Sequence, residues 1–455
     1  MYLDSQTFSQ NMEEEYQTFM VGINIKGKHA RDLNAWIRNR LKTTAIKWLR
    51  IHDPFPTRNL ESSNAQGYSY LNAIRDFCDS GFNLVLPIDV GIVQNDIRIG
   101  AQFEEPDSTT LEDSIEESYH YAYKGTKQIC ETIKSAKQVE VIFGIENEID
   151  VKQMILQSAP LLGWRQYATS WKKMAMNLEL RRRRLMNICK GVHKACKETG
   201  INAKTLINMS CDDVKDVFES HKISEEFLGW FEQLGVSDKV RNALDDEYTP
   251  RRLYQDVLNF VKDVSPNDEA MQRFDSWELD LERTTKELDE ELSKEGMEPI
   301  DYIGVDTYPD YFSLESPKGK KVGEKVEIAE KIIGKGKKII NLEFGHHTFS
   351  TGNFLSSILQ EIPNLEEFVN RLLGKATPSE NQLEFFRDAL ESISQTASIG
   401  TFPWVLITEP DIIEKYPLQE AYFGLIKQRA DGTLKEEPAF LEYVRWSSET
   451  LKNTE

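Results

Sequence analysis

Eight short apolar runs, each followed by a segment of helical pattern, constrain this chain more than any other feature. In order they are FMVGINI (19–25), IKWLRIH (46–52), FNLVLPIDV (82–90), VEVIFGIEN (139–147), AKTLINMS (203–210), DYIGVDTY (301–308), KKIINLEFG (337–345) and GTFPWVLIT (400–408). The runs are nearly continuous rather than alternating, as expected of parallel strands covered on both faces. The intervening stretches read as helices, for example YLNAIRDFCDSG ending at Gly81, or the long pattern around SIEESYHYAYKGTKQICETIKSA. Strand and helix in eightfold alternation predict a closed (β/α)8 barrel of the α/β class. An open doubly wound sheet would usually carry a glycine-rich phosphate loop after its first strand. Here GINIKGKHARD matches neither GxGxxG nor the P-loop. Pro87, near the end of the third run, is a mild misfit, tolerable only where the ladder is already ending.

The 455 residues are expected to form one catalytic domain with two helical embellishments, 211–299 between strands five and six and 349–396 after strand seven. Both follow the strand ends where barrel active sites lie, so they read as walls of a cleft, helical decoration or an oligomer contact. A formal net charge of −20 argues against nucleic acid or an anionic membrane surface as partner. No run approaches the roughly 20 apolar residues a transmembrane helix needs. The opening MYLDSQTFSQNMEEEY has neither a basic start nor an apolar core and is not expected to be a secretory leader. Five cysteines, odd in number and without a CxxC pair, predict reduced thiols and a cytoplasmic setting. The run Arg181 to Arg184 lies in a helical pattern and is expected to be a surface pairing with nearby acids.

If the strands close into a barrel, their C-terminal ends share one cavity. Strand two brings Arg50 and His52 there, strand three Asp89, strand four Glu146, Asn147 and Glu148. Strand six brings Tyr308, strand seven Glu343, and strand eight Trp404. Two carboxylates on opposite walls beside an Arg, a Tyr and a Trp suit glycosidic bond cleavage. That reaction needs one acid to protonate the leaving oxygen and a second carboxylate facing the anomeric carbon. Arg50 and Tyr308 would keep the second carboxylate ionised, while the acid partner would hold a raised pKa beside a like charge. Trp404 offers a flat face to a sugar ring and Asn147 an amide to a ring hydroxyl.

These residues resemble the pattern of the retaining glycoside hydrolases of clan A, the (β/α)8 superfamily that includes cellulases, mannanases, galactanases and β-glycosidases. The resemblance rests on Asn147-Glu148 ending strand four, Glu343 in INLEFG, Tyr308 in YIGVDTYP and Trp404 in TFPWVLIT. The closing YFGLIKQRADGTLKEEPAF looks like the usual last segment of the group. The resemblance implies Glu148 as acid/base, Glu343 as nucleophile, Arg50 and Tyr308 as supports of the nucleophile, and Trp404 in the subsite of the transferred sugar. It implies no cofactor and no metal, and a carbohydrate substrate. The chain departs from the clan where Asp89 stands in place of a frequent His, where Ile149 follows the acid/base, and in lacking a strand-five His. No subfamily is therefore named.

Other readings remain beside these. Glu343 could be a structural ion-pair partner. Glu146 rivals Glu148, and is otherwise a support or a partner for a base. His52 reads equally as a cleft hydrogen-bonder or a structural residue. His346 and its neighbour His347 are a poor chelate because adjacent residues on an extended segment point apart; one is expected to line the cleft and the other to pack. The expected function is hydrolysis of a β-linked oligosaccharide or small glycoside. The alternatives are a non-catalytic carbohydrate-binding barrel and a metal-dependent barrel hydrolase using Glu343 and the histidines.

Overall fold

Eight parallel strands close on themselves in sequence order in the computed structural model, each hydrogen-bonded to its neighbours in the chain and the eighth to the first. The structure describes residues 19–52, 67–88, 108–137, 139–152, 177–212, 268–309, 318–346, 378–408, 423–428 and 432–454. The strands are β1 (Met20–Lys26), β2 (Trp48–His52), β3 (Asn83–Ile88), β4 (Val141–Ile145), β5 (Lys204–Ser210), β6 (Tyr302–Thr307), β7 (Lys338–Phe344) and β8 (Gly400–Pro403). Each falls within one of the eight apolar runs, except that β1 extends one residue beyond its run, to Lys26. Closure is made by Met20 against Gly400 and Val21 against Thr401.

Helices separate the strands. α1 (Gly27–Asp32) and α2 (Asn34–Leu41) follow β1, α3 (Tyr70–Asp79) follows β2, α4 (Ser108–Lys134) follows β3 and α5 (Leu178–Thr199) follows β4. α6 (Asp268–Asp275) and α7 (Trp277–Lys294) follow β5, α8 (Lys320–Ile333) follows β6 and α9 (Pro378–Ile393) follows β7. The hairpin β9 (Ile426–Gln428) and β10 (Leu434–Glu436) and then α10 (Pro438–Thr454) complete the chain. Local signals set several boundaries. Ser69 caps α3 by accepting from Asn72 N at 3.3 Å, and Asn177 caps α5 by accepting from Leu180 N at 3.2 Å. Gly200, at φ 72°, ends α5 in the left-handed conformation that glycine adopts without strain.

α7 packs between α5 and α8, and α9 between α8 and α10. Both stretches read as embellishments therefore end in helices of the outer ring; residues 213–267 and 349–377 within them lie outside the described residues. Tyr443 of α10 donates to the carbonyls of Gly22 and Thr401, fastening the last helix over the β1–β8 seam. Pairing of β3 with β2 ends at Val85, so Pro87 sits where that ladder needs no further donor.

Side chains alternate between two cores. Trp48, Val85, Ile142, Leu206, Ile340 and Phe402 are among those filling the barrel interior. Leu49, Leu84, Phe143, Ile207 and Ile339 pack outward against the helices. Gly304 lies at a tight point of the interior, since a Cβ there would stand 2.7 Å from Asn208 Cβ and 2.9 Å from Leu342 Cδ2. Gly304→Ala is expected to cost about 1–3 kcal/mol through overpacking. It would show as a lowered urea midpoint at unchanged slope; an unshifted midpoint would mean that the interior yields freely.

Candidate active site

Glu343 reaches the cavity through an irregularity in β7. Ile340 and Leu342 belong to the interior core, so strict alternation would turn Glu343 outward to the helices. The register against β6 instead jumps from Val305↔Asn341 to Asp306↔Glu343, and against β8 from Asn341↔Thr401 to Phe344↔Pro403. One extra residue is accommodated, as in a β-bulge, and the parity of the strand reverses. Glu343 then faces inward, while Phe344 packs in the outer core with its ring 5.3 Å from that of Phe386 on α9.

Two groups from different strands hold the Glu343 carboxylate. Arg50 Nη1 donates to Oε1, and the Tyr308 hydroxyl donates to Oε2 at 2.7 Å. Arg50 is 1 % exposed and Glu343 4 %, a burial at which two charges need both each other and further hydrogen bonds. Those bonds exist: Arg50 also donates to Asn24 Oδ1 at 2.9 Å and to Asn147 Oδ1. Asn24 is itself fixed by donating to the carbonyls of Leu342 and Phe402, each at 2.9 Å. The Tyr308 backbone is pinned by its N–H donating to Asp212 at 2.6 Å, and its ring meets Phe423 edge-on at 5.5 Å.

The three polar residues after β4 go in different directions because the backbone twists there. Glu146 has φ 61° and Glu148 φ 47°, a region that non-glycine residues visit rarely and that clusters at functional sites. Glu146 turns outward and is clasped by Arg184 of α5 through Nε and Nη2, so it supports the strand end from behind and does not enter the cavity. Asn147 points inward, its Oδ1 accepting from Arg50 and, at 3.0 Å, from Asn208. Glu148, 9 % exposed, comes forward to Glu343. Carboxylate oxygens of Glu148, Glu343 and a third residue, Asp306 of β6, lie within 4.8 Å of one another. Both Glu343 oxygens are already engaged and Arg50 supplies positive charge, so this cluster has its own counter-ion.

His52 sits beside the same carboxylate, Nε2 to Oε1 4.0 Å. Burial pushes its pKa well below the usual imidazole value, and the charges of Arg50 and Lys26 push the same way against a hydrogen bond with Asn147. These influences favour the neutral ring. Trp404 stands edge-on to it at 4.9 Å, with Lys26 Nζ 4.3 Å from the indole centroid. The Trp404–Val405 peptide is cis.

Arg50, His52, Asn147, Glu148, Tyr308, Glu343 and Trp404 thus share one end of the barrel. His346 does not join them: it stacks on Phe385 of α9 at 5.3 Å, toward the helices. Asp89 and His347 lie outside the described residues. The arginine run is also not a surface throughout. Arg184 holds Glu146, Arg181 is buried against Asp280 and Thr284, and Arg182 pairs at the rim with Glu179 and Glu291. Asn24, Asn208, Asp306 and Phe423 were not singled out from the sequence. The first three were visible only as isolated polar residues at inward positions of apolar runs.

No protein-family model and no curated protein matches the sequence. Solved structures do match in shape. A family 1 β-glucosidase from Thermotoga maritima is 12% identical with a TM-score of 0.51, over 94% of this chain and 87% of that one. The Thermotoga maritima β-glucosidase in complex with glucoimidazole gives 12% identity and a TM-score of 0.52, over 97% and 98%. Its complex with noeuromycin gives 12% and 0.52, over 96% and 98%. At this identity the likeness establishes the fold, a (β/α)8 barrel also found in glycoside hydrolases.

Proposed function

We propose that this chain is a retaining glycoside hydrolase that cleaves a β-linked sugar through a covalent glycosyl-enzyme. Glu343 attacks the anomeric carbon while Glu148 protonates the departing oxygen; Glu148 then takes a proton from the water that releases the sugar. The observation that carries this reading is the placing of Glu148 within 4.8 Å of a Glu343 whose two oxygens are held by Arg50 and Tyr308. Double displacement works with carboxyl groups about 5 Å apart, whereas direct displacement by water needs roughly 6.5–9.5 Å. Arg50 balances the charge of the nucleophile and Tyr308 fixes its orientation. Trp404 and neutral His52 supply wall and hydrogen bond for the sugar, and the chemistry calls for no cofactor. Among the described residues no helix is long and apolar enough to cross a membrane. All five cysteines are free thiols, which favours a reducing cytoplasm as the setting.

The test is release of nitrophenol from α- and β-linked aryl glycosides of glucose, galactose, mannose and xylose, starting with the β-glucoside because the solved neighbours are β-glucosidases. Turnover of at least one β-linked member is expected, unaffected by chelator, with a 2-deoxy-2-fluoro analogue leaving an ester on Glu343. Binding of sugars without turnover would favour the carbohydrate-binding barrel. Loss of turnover with chelator, restored by a divalent cation, would favour the metal-dependent one.

A further inference from the structure

Asp306 makes the acidic cluster one carboxyl group larger than a two-carboxylate hydrolysis requires. It is fully buried on β6, with its Cα paired in register to Glu343 on β7 and to Ser210 on β5. Its Oδ2 accepts from Asn208 Nδ2, and its Oδ1 is buried with no hydrogen-bond partner. The charged groups facing it are Glu343 from β7, Glu148 from the end of β4 and Arg50 from β2; β5 contributes only the neutral Asn208 amide. Further off, around Cys211, are Lys152, Asp150 and Asp212. The Lys152 ammonium is occupied by Ser210 and by the carbonyl of Asp212.

Asp306 and Glu343 are both buried with carboxylate oxygens within 4.8 Å of each other, so ionising both would set like charges side by side where burial penalises charge heavily. Of these two, Glu343 is the one held by a guanidinium and a hydroxyl, whereas Asp306 has one amide donor and a buried Oδ1 without a hydrogen-bond partner, which favours its protonated form. Burial drives the Asp306 carboxyl well above the ordinary range, Glu343 and Glu148 adding to it while Arg50 and Asn208 oppose.

We propose that Asp306 is a positioning residue that stays protonated through the working pH range and offers its O–H to the Glu148–Glu343 pair. This rests on the reading of those glutamates as the reacting pair. Asp306 takes no part in bond making. Its O–H gives the cluster a donor that an aspartate anion could not supply, and its neutrality spares Glu148 and Glu343 the repulsion of a further anion.

The deciding comparison is Asp306→Asn, which keeps shape and donor capacity and removes no charge if Asp306 is already neutral. Asp306→Asn is expected to retain kcat/KM within about threefold, with both limbs of the bell-shaped pH profile within about 0.3 unit of wild type. Asp306→Ala, lacking the donor, is expected to lose roughly 10- to 100-fold. If Asp306 were instead an anion, replacing it by Asn would lower the apparent pKa of both neighbouring glutamates by about one unit or more, and both limbs would move to lower pH. That result would overturn the proposal. So would loss of turnover in Asp306→Asn that azide restores, which would make Asp306 itself the acid/base. A second readout needs no substrate. Infrared spectra of wild-type protein with carboxyl-labelled aspartate should show a protonated aspartate at pH 7 that disappears in Asp306→Asn. Its absence from the wild type would defeat the inference even if glycosidase activity were established, and its presence would stand if no glycoside were turned over.

Discussion

Glu343→Gln is expected to lower kcat/KM on the best aryl β-glycoside by about four orders of magnitude or more, the scale on which losing a covalent nucleophile is felt. The amide oxygen can still accept from Arg50 while its NH2 donates to the Tyr308 hydroxyl, so the pocket keeps its shape, but it cannot form the glycosyl ester. It also leaves the Arg50 guanidinium, 1 % exposed, without its anion, at a cost in stability of up to about 3–5 kcal/mol. Activity should therefore be compared at a temperature where both proteins are folded. Product stereochemistry makes the assignment independent of magnitude. In Glu343→Ala, azide fills the vacated space and attacks the anomeric carbon directly, so a β-glycoside should give the α-azide. In Glu148→Ala the glycosyl-enzyme still forms, azide displaces it, and the β-azide should result. A β-azide from the Glu343 variant would exchange the two roles. Undiminished hydrolysis by Glu343→Gln would remove Glu343 from the chemistry altogether.

The barrel was legible because parallel strands buried on both faces leave unbroken apolar runs, and all eight such runs became β1–β8 in sequential order. Placing side chains at the ends of those runs also brought Arg50, Tyr308 and Glu343 to one point in space. What the sequence could not supply was side-chain direction where the backbone departs from alternation. Period-two reasoning applied to KIINLEF sends Glu343 to the helices, and only the register slips on either side of β7 reverse this. Positive φ at Glu146 and Glu148 likewise separates two glutamates that a regular strand would have left on the same face. The interior partners were hidden for another reason. A single Asn or Asp within a strand reads as a blemish in an apolar run, and its meaning depends on contacts more than 60 residues away, such as Asn208 with Asn147 and Asp306. The arginine run misled because four successive residues on a helix face different ways. Arg181 and Arg184, three apart, share the buried side, while Arg182 lies at the rim.

Arg184→Met should expose the structural weight carried by that turn. The arginine is 1 % exposed and clasps a nearly buried Glu146 through two nitrogens, so its loss strands a carboxylate in the outer core. Breaking such a pair from one side costs about 3–5 kcal/mol, whereas Arg182→Met, which removes a rim pair with Glu291, should cost at most about 1 kcal/mol. Chemical denaturation of the two variants checks the contrast. The same change should reach activity, because Glu146, Asn147 and Glu148 are consecutive and a displacement of about 1 Å at a reacting group can cost on the order of 100-fold. Pairing Arg184→Met with Glu146→Leu removes both charges together and should recover most of the lost stability, since an apolar pair of similar size is tolerated where a lone charge is not. If the double variant is also active, Glu146 has no part in the chemistry and acts by holding the backbone that presents Glu148. If stability returns without activity, the ion pair sets the position of Glu148 in a way that packing alone does not reproduce. A double variant no more stable than Arg184→Met would mean that the cost lies in the lost packing of the arginine stem against the outer core, and not in the stranded charge.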